Sequence, residues 1–312
     1  MNAFLDYASS KYYAGDPVIS DEEFDKLAEY YGYESVGAAV IGDGIAHAFS
    51  MYSLQKVYDD EEPISYSNTA VVTTKKLDGA AISILYIYGK LTLGLTRGDG
   101  KKGQNITDKV KFLVNEYEEG FSKHPMIQIT GEVVAPKHIE NSRNYAAGAL
   151  NLKDVNEFKT REVKFIAYGI MPYQYRSWSE DMAMLQDLGF DTVLSSDWRE
   201  YPDDGLVFRV DDYSTFDELG YTAKHPRGAF ALKERKGGVV TRLLDVEWQV
   251  GRSGVVSPVA ILEPVKVGDA TVSRATLHNI KYIRELDLDI DCLVEIIRSG
   301  EIIPKVVRRI YE

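Results

Sequence analysis

Residues 71–100 read VVTTKKLDGAAISILYIYGKLTLGLTRGDG. β-Branched and aromatic residues dominate, and the runs VVTTKK, AISILYIYG and KLTLGLTRG have strand rather than helix length. The spacing predicts three strands, the last two joined as a hairpin through Gly89-Lys90. Lys75-Lys76-Leu77-Asp78-Gly79 falls where the first strand ends and the second begins. A lysine placed there attacks phosphorus only as the free amine, a form favoured by desolvation or nearby positive charge, for which Lys75, Lys233 and a bound divalent cation are candidates. Asp78 would orient it, and Gly79 would let a nucleotide approach the backbone closely. Four residues of this kind could equally form a charged hairpin turn, and the motif alone does not decide between the two.

Later segments come in a telling order. Arg97 in Thr-Arg-Gly-Asp-Gly, Glu132 in Gly-Glu-Val-Val, Tyr168 in Ala-Tyr-Gly, Arg209 in Asp-Gly-Leu-Val-Phe-Arg and Lys233 in Ala-Leu-Lys each begin or end a predicted strand. Strand ends on one sheet converge on a cleft. Together they offer a phosphate clamp (Arg97, Arg209, Lys233), a carboxylate for a ribose hydroxyl or a metal (Glu132) and an aromatic face for a base (Tyr168). That inventory suits a nucleotide.

The rest of the chain predicts an α+β multidomain protein. Ser20, with Glu23 three residues on, reads as a capping box for a helix carrying Phe24, Leu27, Ala28 and Tyr31 on one face and stopped at Gly32, inside a small helical cap at residues 1–50. TDKVKFLVNEYEEG predicts a helix over 107–120. The runs MIQITGEVV, VKFIAYGIM, DGLVFRV and GAFALK make residues 51–236 a body with a mainly antiparallel sheet. After Gly237-Gly238 short strands alternate with turns and almost no helical period remains, so residues 237–312 predict a small β-barrel.

Composition narrows the class. The 312 residues, 45% hydrophobic and 27% charged, exceed most single domains. No apolar run approaches the roughly 18 residues of a membrane span, and MNAFLDYASS lacks the order of a signal peptide, so a soluble cytoplasmic protein without membrane partners is expected. A lone cysteine, Cys292, and five scattered histidines give neither a disulfide nor zinc-ligand spacing. No structural zinc and no metal held by protein ligands alone is expected; a cation would be oxygen-bound and arrive with substrate. The net charge of −12 disfavours adhesion to nucleic acid by overall field, leaving local basic stretches such as Lys224 to Arg252 and Arg298, Lys305, Arg308 and Arg309. Residues 98–103, Gly-Asp-Gly-Lys-Lys-Gly, match the spacing of a dinucleotide fingerprint, but Asp99 would set an anion against the pyrophosphate and no βαβ pattern surrounds it, which disfavours a dehydrogenase.

Taken together, these residues resemble the NAD-dependent DNA ligases along almost the whole chain. Lys-Leu-Asp-Gly by itself is similar to the lysine motif of all covalent nucleotidyltransferases. The narrower signal is YYAGDPVISDEEFDKL, which resembles the small domain found only in the NAD-using branch. The resemblance implies a fold of helical cap, adenylation domain with antiparallel sheets, and C-terminal OB-fold barrel. It implies that Tyr12, Tyr13, Asp21, Phe24 and Asp25 hold the nicotinamide mononucleotide half of NAD. Asp21, Phe24 and Asp25 lie at i, i+3 and i+4, one face of a helix, with core packing the alternative for Phe24. MYSLQKVYDD, TRGDGKKGQNIT, NSRNYAAGALNLKD and VGRSGVVSPVAILEPVKVGDATVSRATLHN extend the match. By the same resemblance Lys76, Asp78, Glu132 and Lys233 are catalytic; Ser53, Leu54, Thr74, Leu77, Gly79, Arg97, Tyr168 and Arg209 contact the cofactor; and Arg143, Arg252 and Arg274 contact DNA. The implied activity is ligation of nicked double-stranded DNA in repair and replication, with NAD and magnesium or manganese, in a bacterial cell or a phage-infected host.

Five positions depart from the family pattern. Thr74 stands for an acidic residue beside the adenine, Asn151 for an arginine, Arg209 for the motif lysine, Gly228 for the Pro-Arg-Trp tryptophan and Tyr13 for a histidine. These departures motivate an alternative, a weakly active or inactive ligase-like subunit. The chain also stops where family members continue into zinc, helix-hairpin-helix and C-terminal interaction modules. A compact natural form, a second chain supplying those parts, or their removal from a longer chain is therefore expected.

Overall fold

The computed structural model describes residues 2–13, 18–33, 44–58, 64–66, 69–233, 238–250, 256–267, 270–299 and 303–311. The chain divides into two compact units, Met1–Glu234 and Arg235–Glu312.

The first unit runs α1 (Asn2–Tyr13), α2 (Asp21–Tyr31), β1 (Ile45–Ala46), β2 (Gln55–Tyr58), β3 (Val71–Leu77), β4 (Ala80–Ile87), β5 (Lys90–Thr96), β6 (Lys102–Gly103), α3 (Thr107–Val110), β7 (Met126–Val134), α4 (Ser142–Leu150), α5 (Val155–Lys159), β8 (Lys164–Met171), α6 (Trp178–Asp187), β9 (Asp203–Val210), α7 (Tyr213–Leu219) and β10 (Ala229–Lys233). Two four-stranded sheets result, of order β2-β10-β9-β3 and β5-β4-β7-β8. The second is antiparallel throughout, whereas in the first β10 pairs with β2 in parallel. One sheet was expected from the strand pattern. The chain crosses from one sheet to the other at Asp78-Gly79, a break too short for periodicity to register.

Strand β4 shows how the second sheet is built. Its residues are buried almost without interruption, as expected of a strand covered on both faces. Ile82, Ile84 and Tyr86 enter the main core with Ile127, Ile129 and Phe121. Leu85 and Ile87, on the other face, join Leu93 and Met126 in packing against Phe4, Leu5, Tyr7 and Leu27 of the N-terminal helices. The helical segment thus belongs to the same compact unit as the sheets. Helix α2 has the predicted capping box at Ser20 and Glu23 and ends at Gly32 in the left-handed region, φ 61°.

Two local expectations need correction. The β4–β5 turn is Tyr88-Gly89, both with positive φ (46° and 79°), and Lys90 already belongs to β5. The helix expected over 107–120 stops after the single turn α3. Backbone pairing decides this: Leu91 donates to the Glu116 carbonyl and Glu118 to that of Gly89, so residues 116–118 extend the sheet edge instead of continuing a helix. Helix α6, with its own capping box at Ser177 and Glu180, escaped the strand-oriented reading.

The second unit contains β11 (Val239–Val250), β12 (Val256–Val267), β13 (Ala270–Thr276), α8 (Ile280–Glu285), β14 (Leu293–Ser299) and β15 (Ile303–Ile310). Its strands close into a barrel of order β11-β12-β13-β15-β14, the five-stranded arrangement expected of an OB fold. Leu243, Ala260, Leu262, Val272, Leu277, Val294, Ile296 and Val306 fill it. Helix α8, capped by the Asn279 side chain on the Tyr282 amide, is an addition to the expected all-β segment.

Candidate active site

Lys76 is the penultimate residue of β3. Opposite it the β3–β9 ladder slips: Lys75 pairs with Leu206 but Leu77 pairs with Asp203, so β9 holds an extra residue there. Gly205 absorbs the bulge with φ 136°, and a Cβ at that position would stand 2.1 Å from the Leu232 carbonyl oxygen. The bulge aims Asp204 at the lysine. Lys76 Nζ lies 2.9 Å from Asp204 Oδ1, and Lys233 Nζ, at the end of β10, pairs with the other oxygen. Burial pushes the Asp204 carboxyl up, but the ammonium groups of Lys233 and Lys76 outweigh it and hold it below the usual range. Lys75 pairs instead with Asp203 at 3.2 Å, as strand alternation requires.

From the second sheet comes Glu132, paired across the ladder with Ala81. Burial raises its carboxyl to about 7, and the charge of Asp78 adds to this, while Lys76, the Gly79 amide and Arg97 pull the other way. Glu132 thus accepts from the Gly79 amide and feels the charges of Lys76, Asp78 and Arg97. Burial and the Glu132 charge raise the Tyr168 phenol, with Arg97 opposing. Asp78 donates its amide to the Pro202 carbonyl and pairs with Arg143 at 3.2 Å. Gly79 is required by space: a Cβ would lie 2.2 Å from the Val133 carbonyl oxygen.

Arg97 opens the turn that resembled a dinucleotide fingerprint. Asp99 caps this turn by accepting from the Lys101 and Lys102 amides, and β6 follows directly, so the stretch is a strand-to-strand connection. Buried His47 holds the turn from below, with Nδ1 2.8 Å from Ser83 Oγ and Nε2 3.0 Å from the Arg97 carbonyl oxygen. A carbonyl only accepts, so Nε2 carries the proton and Nδ1 accepts from the serine hydroxyl.

Thr74 lines a depression of about 350 Å³ with Thr73, Val193, Leu194, Ser196 and Leu206. Leu77 is core. Arg209 shares a face of β9 with the cluster but lies further along the strand, its guanidinium 4.1 Å from the Phe216 ring centre and 5.7 and 5.9 Å from those of Trp178 and Tyr213. The Ser53 carbonyl accepts from His225, and Leu54 packs on Val210, Phe216 and Ala229. Phe24 packs edge-on to Tyr33, its ring centre 6.1 Å away, against the core of the helical segment. Tyr12, Tyr13, Asp21 and Asp25 lie on α1 and α2, and their side chains, like the whole of Arg252, lie outside the described residues. Arg274 is paired with Glu247 on the barrel. Asn151 bonds back to the Ala147 carbonyl at 3.0 Å and closes α4. Two residues of the cluster, Asp204 and His47, were not singled out from sequence; Asp204 stands inside the Asp-Gly-Leu-Val-Phe-Arg motif used to select Arg209, and that was the available signal.

Among the described residues no three histidine, cysteine, aspartate or glutamate side chains stand together closely enough to hold a metal ion. Asp78 and Glu132 offer carboxylate oxygens, the donor type that suits a hard cation.

The family profile described as NAD-dependent DNA ligase adenylation domain matches residues 43–199, half of the chain, and that described as NAD-dependent DNA ligase OB-fold domain matches residues 240–312. A DNA ligase of Brachyspira hyodysenteriae is 33% identical, with 99% of this chain and 56% of that protein aligned. A DNA ligase of Campylobacter jejuni is 34% identical over 95% of this chain and 55% of its own length, and one of Campylobacter curvus 33% over 97% and 56%. The chain spans little more than half the length of these relatives. With both profiles matched in chain order over the two compact units, the chain belongs to the NAD-dependent DNA ligase family.

Proposed function

We propose that the chain catalyses NAD-dependent sealing of nicks in double-stranded DNA, working as a cap (1–50), an adenylation domain (51–236) and a DNA-gripping barrel (237–312). Once its ammonium has given up a proton to solvent, Lys76 Nζ attacks the α-phosphorus of NAD; the new P–N bond replaces the bond to nicotinamide mononucleotide, which leaves. The 5′-phosphate of the nick then attacks the lysyl-adenylate, taking AMP and freeing Lys76. Finally the 3′-hydroxyl attacks the activated 5′-phosphorus and AMP departs.

The observation that carries this reading is the convergence on Lys76 of Asp204 and Lys233 from one sheet and of Glu132 from the other. Phosphoryl transfer depends mainly on positioning and charge neutralisation, and the chain's own cations suit that work. Lys233, Arg97 and Arg209 face the phosphates of the nucleotide, Glu132 and Asp78 orient Lys76 and a ribose hydroxyl, and Tyr168 offers its ring to the base. A magnesium ion, when bound, would be held by the carboxylates of Asp78 and Glu132 and would supply further charge neutralisation. Tyr12, Tyr13, Asp21, Phe24 and Asp25 take the nicotinamide mononucleotide half, and this end of the chain must release that product before a nicked duplex enters. Arg143, Arg252 and Arg274 contact the DNA backbone without reading bases, in the cytoplasm of a bacterium or an infected host.

The test is mass spectrometry of protein first stripped with nicotinamide mononucleotide and then incubated with magnesium and either NAD or ATP. An AMP adduct on the Lys76 peptide with NAD alone, absent in Lys76→Ala, supports the reading. An adduct with ATP instead overturns the assignment of the cap, and none with either favours a non-catalytic subunit.

A further inference from the structure

Arg209 is an unusual arginine. Its Nε is buried with no hydrogen-bond partner among the described residues. What holds the guanidinium is aromatic: Phe216 beneath it at 4.1 Å, with Trp178 and Tyr213 further off. Strand pairing fixes only where its backbone lies, between Val72 and Ala229. An arginine side chain has several rotatable bonds, so the direction of its free edge is set by whatever its planar group rests on.

Phe216 is itself immobilised. It is buried on α7, whose first turn is pinned by the Asp212 side chain accepting from the Thr215 amide. Behind the ring lies the backbone of residue 228, tied to β9 by a 2.9 Å bond from the Val210 amide to the Gly228 carbonyl. A Cβ at 228 would stand 2.4 Å from Phe216 Cδ2. No larger side chain at 228 can share this volume with the ring in its present place. Arg209 and Gly228, two of the departures from the family pattern, are therefore one linked arrangement: a glycine makes room for a phenylalanine, and the phenylalanine carries an arginine.

We infer that Phe216 is a positioning residue for NAD, acting through the cation–π contact that fixes the Arg209 guanidinium, with Gly228 as the space that admits it. This rests on the proposed reading that Arg209 contacts the nucleotide. Phe216 need not touch NAD for binding to depend on it.

The experiment is self-adenylation kinetics with NAD, wild type against Phe216→Leu, Phe216→Trp, Arg209→Met and the Phe216→Leu/Arg209→Met double variant, with thermal melts of each. Wild-type adenylation that vanishes in Lys76→Ala is the separate check on the underlying reading; its failure would sink that reading, whatever the other variants do. Given it, Phe216→Leu is expected to raise the KM for NAD about five- to tenfold with kcat within twofold. Phe216→Trp should keep the wild-type KM, and the double variant should be no worse than Arg209→Met alone. An unchanged KM in Phe216→Leu, or a double variant whose effect is the product of the singles, overturns the inference. Should Phe216→Leu fail to fold, Gly228→Ala, which displaces the ring without removing it, is read the same way: a raised KM supports the linkage and an unchanged one refutes it.

Discussion

Lys76 Nζ stands 2.9 Å from Asp204 Oδ1, across a bulge that exists because Gly205 adopts a φ of 136°. The carboxylate serves two ammonium groups, since Lys233 takes its second oxygen. Replacing it as Asp204→Asn leaves two cations facing each other and is expected to cost about 2 kcal/mol of stability and to slow self-adenylation at least tenfold. The Asp204 pKa is depressed in the folded state, so its contribution is present above the unfolded value of about 3.9 and is lost as pH falls through the folded value. Melting temperatures of wild type and variant should differ at pH 7 and converge below about pH 4.

Glu132 carries the opposite sign. Burial raises its carboxyl to about 7, so the folded protein holds a proton there that the unfolded chain releases near pH 4.3. The penalty for ionising it is absent below about pH 4 and complete above about pH 7, where it reaches roughly 2–4 kcal/mol. Glu132→Gln should therefore melt higher than wild type at pH 8 and alike at pH 4, while losing adenylation. A variant less stable at pH 8 would show that the carboxylate is better solvated than its surroundings imply.

Gly79 joins the two sheets with no room for a side chain. Gly79→Ala drives a methyl against the Val133 carbonyl oxygen, 2.2 Å away. Backbone must move to relieve this, displacing Asp78 and Lys76 together. A loss of about 2–3 kcal/mol by denaturant titration, with adenylation reduced out of proportion to the fraction unfolded, is expected.

His47 lies under the Arg97 turn. His47→Ala leaves the Ser83 hydroxyl without its imidazole partner and takes one of two donors from the Arg97 carbonyl, which keeps the Gly100 amide, at a cost of about 1–3 kcal/mol. Burial lowers the His47 pKa, so the unfolded chain binds a proton that the folded one refuses. Wild-type stability should fall as pH drops below about 6.5 toward the folded pKa, and the alanine variant should lose that part of the slope.

On the barrel, Arg274 is engaged by Glu247. If this arginine meets phosphate, Glu247→Gln frees it, and DNA affinity at low salt should tighten by about two- to threefold, with a steeper dependence of binding on salt. Equal affinities and slopes would remove Arg274 from the DNA-contacting surface.

Much of this was legible in the chain. The capping box at Ser20, the strand identity of residues 71–96, the order of lysine, carboxylate and arginine motifs, and the barrel after Gly238 rest on short-range causes: caps, β-propensity and spacing act over a few residues and leave their mark in a few residues. Where a local signal competed with backbone pairing it lost, as in the truncated helix α3, whose continuation gives way to pairing beside Gly89 and Leu91. Tertiary structure alone decided that the chain passes between the two sheets at Asp78-Gly79, that Asp204 bridges Lys76 and Lys233, that His47 supports Arg97, and that Phe216 occupies the space Gly228 leaves open. Each of these joins residues far apart in sequence through strand register and close packing, and a one-residue slip in register would turn every such side chain to the other face.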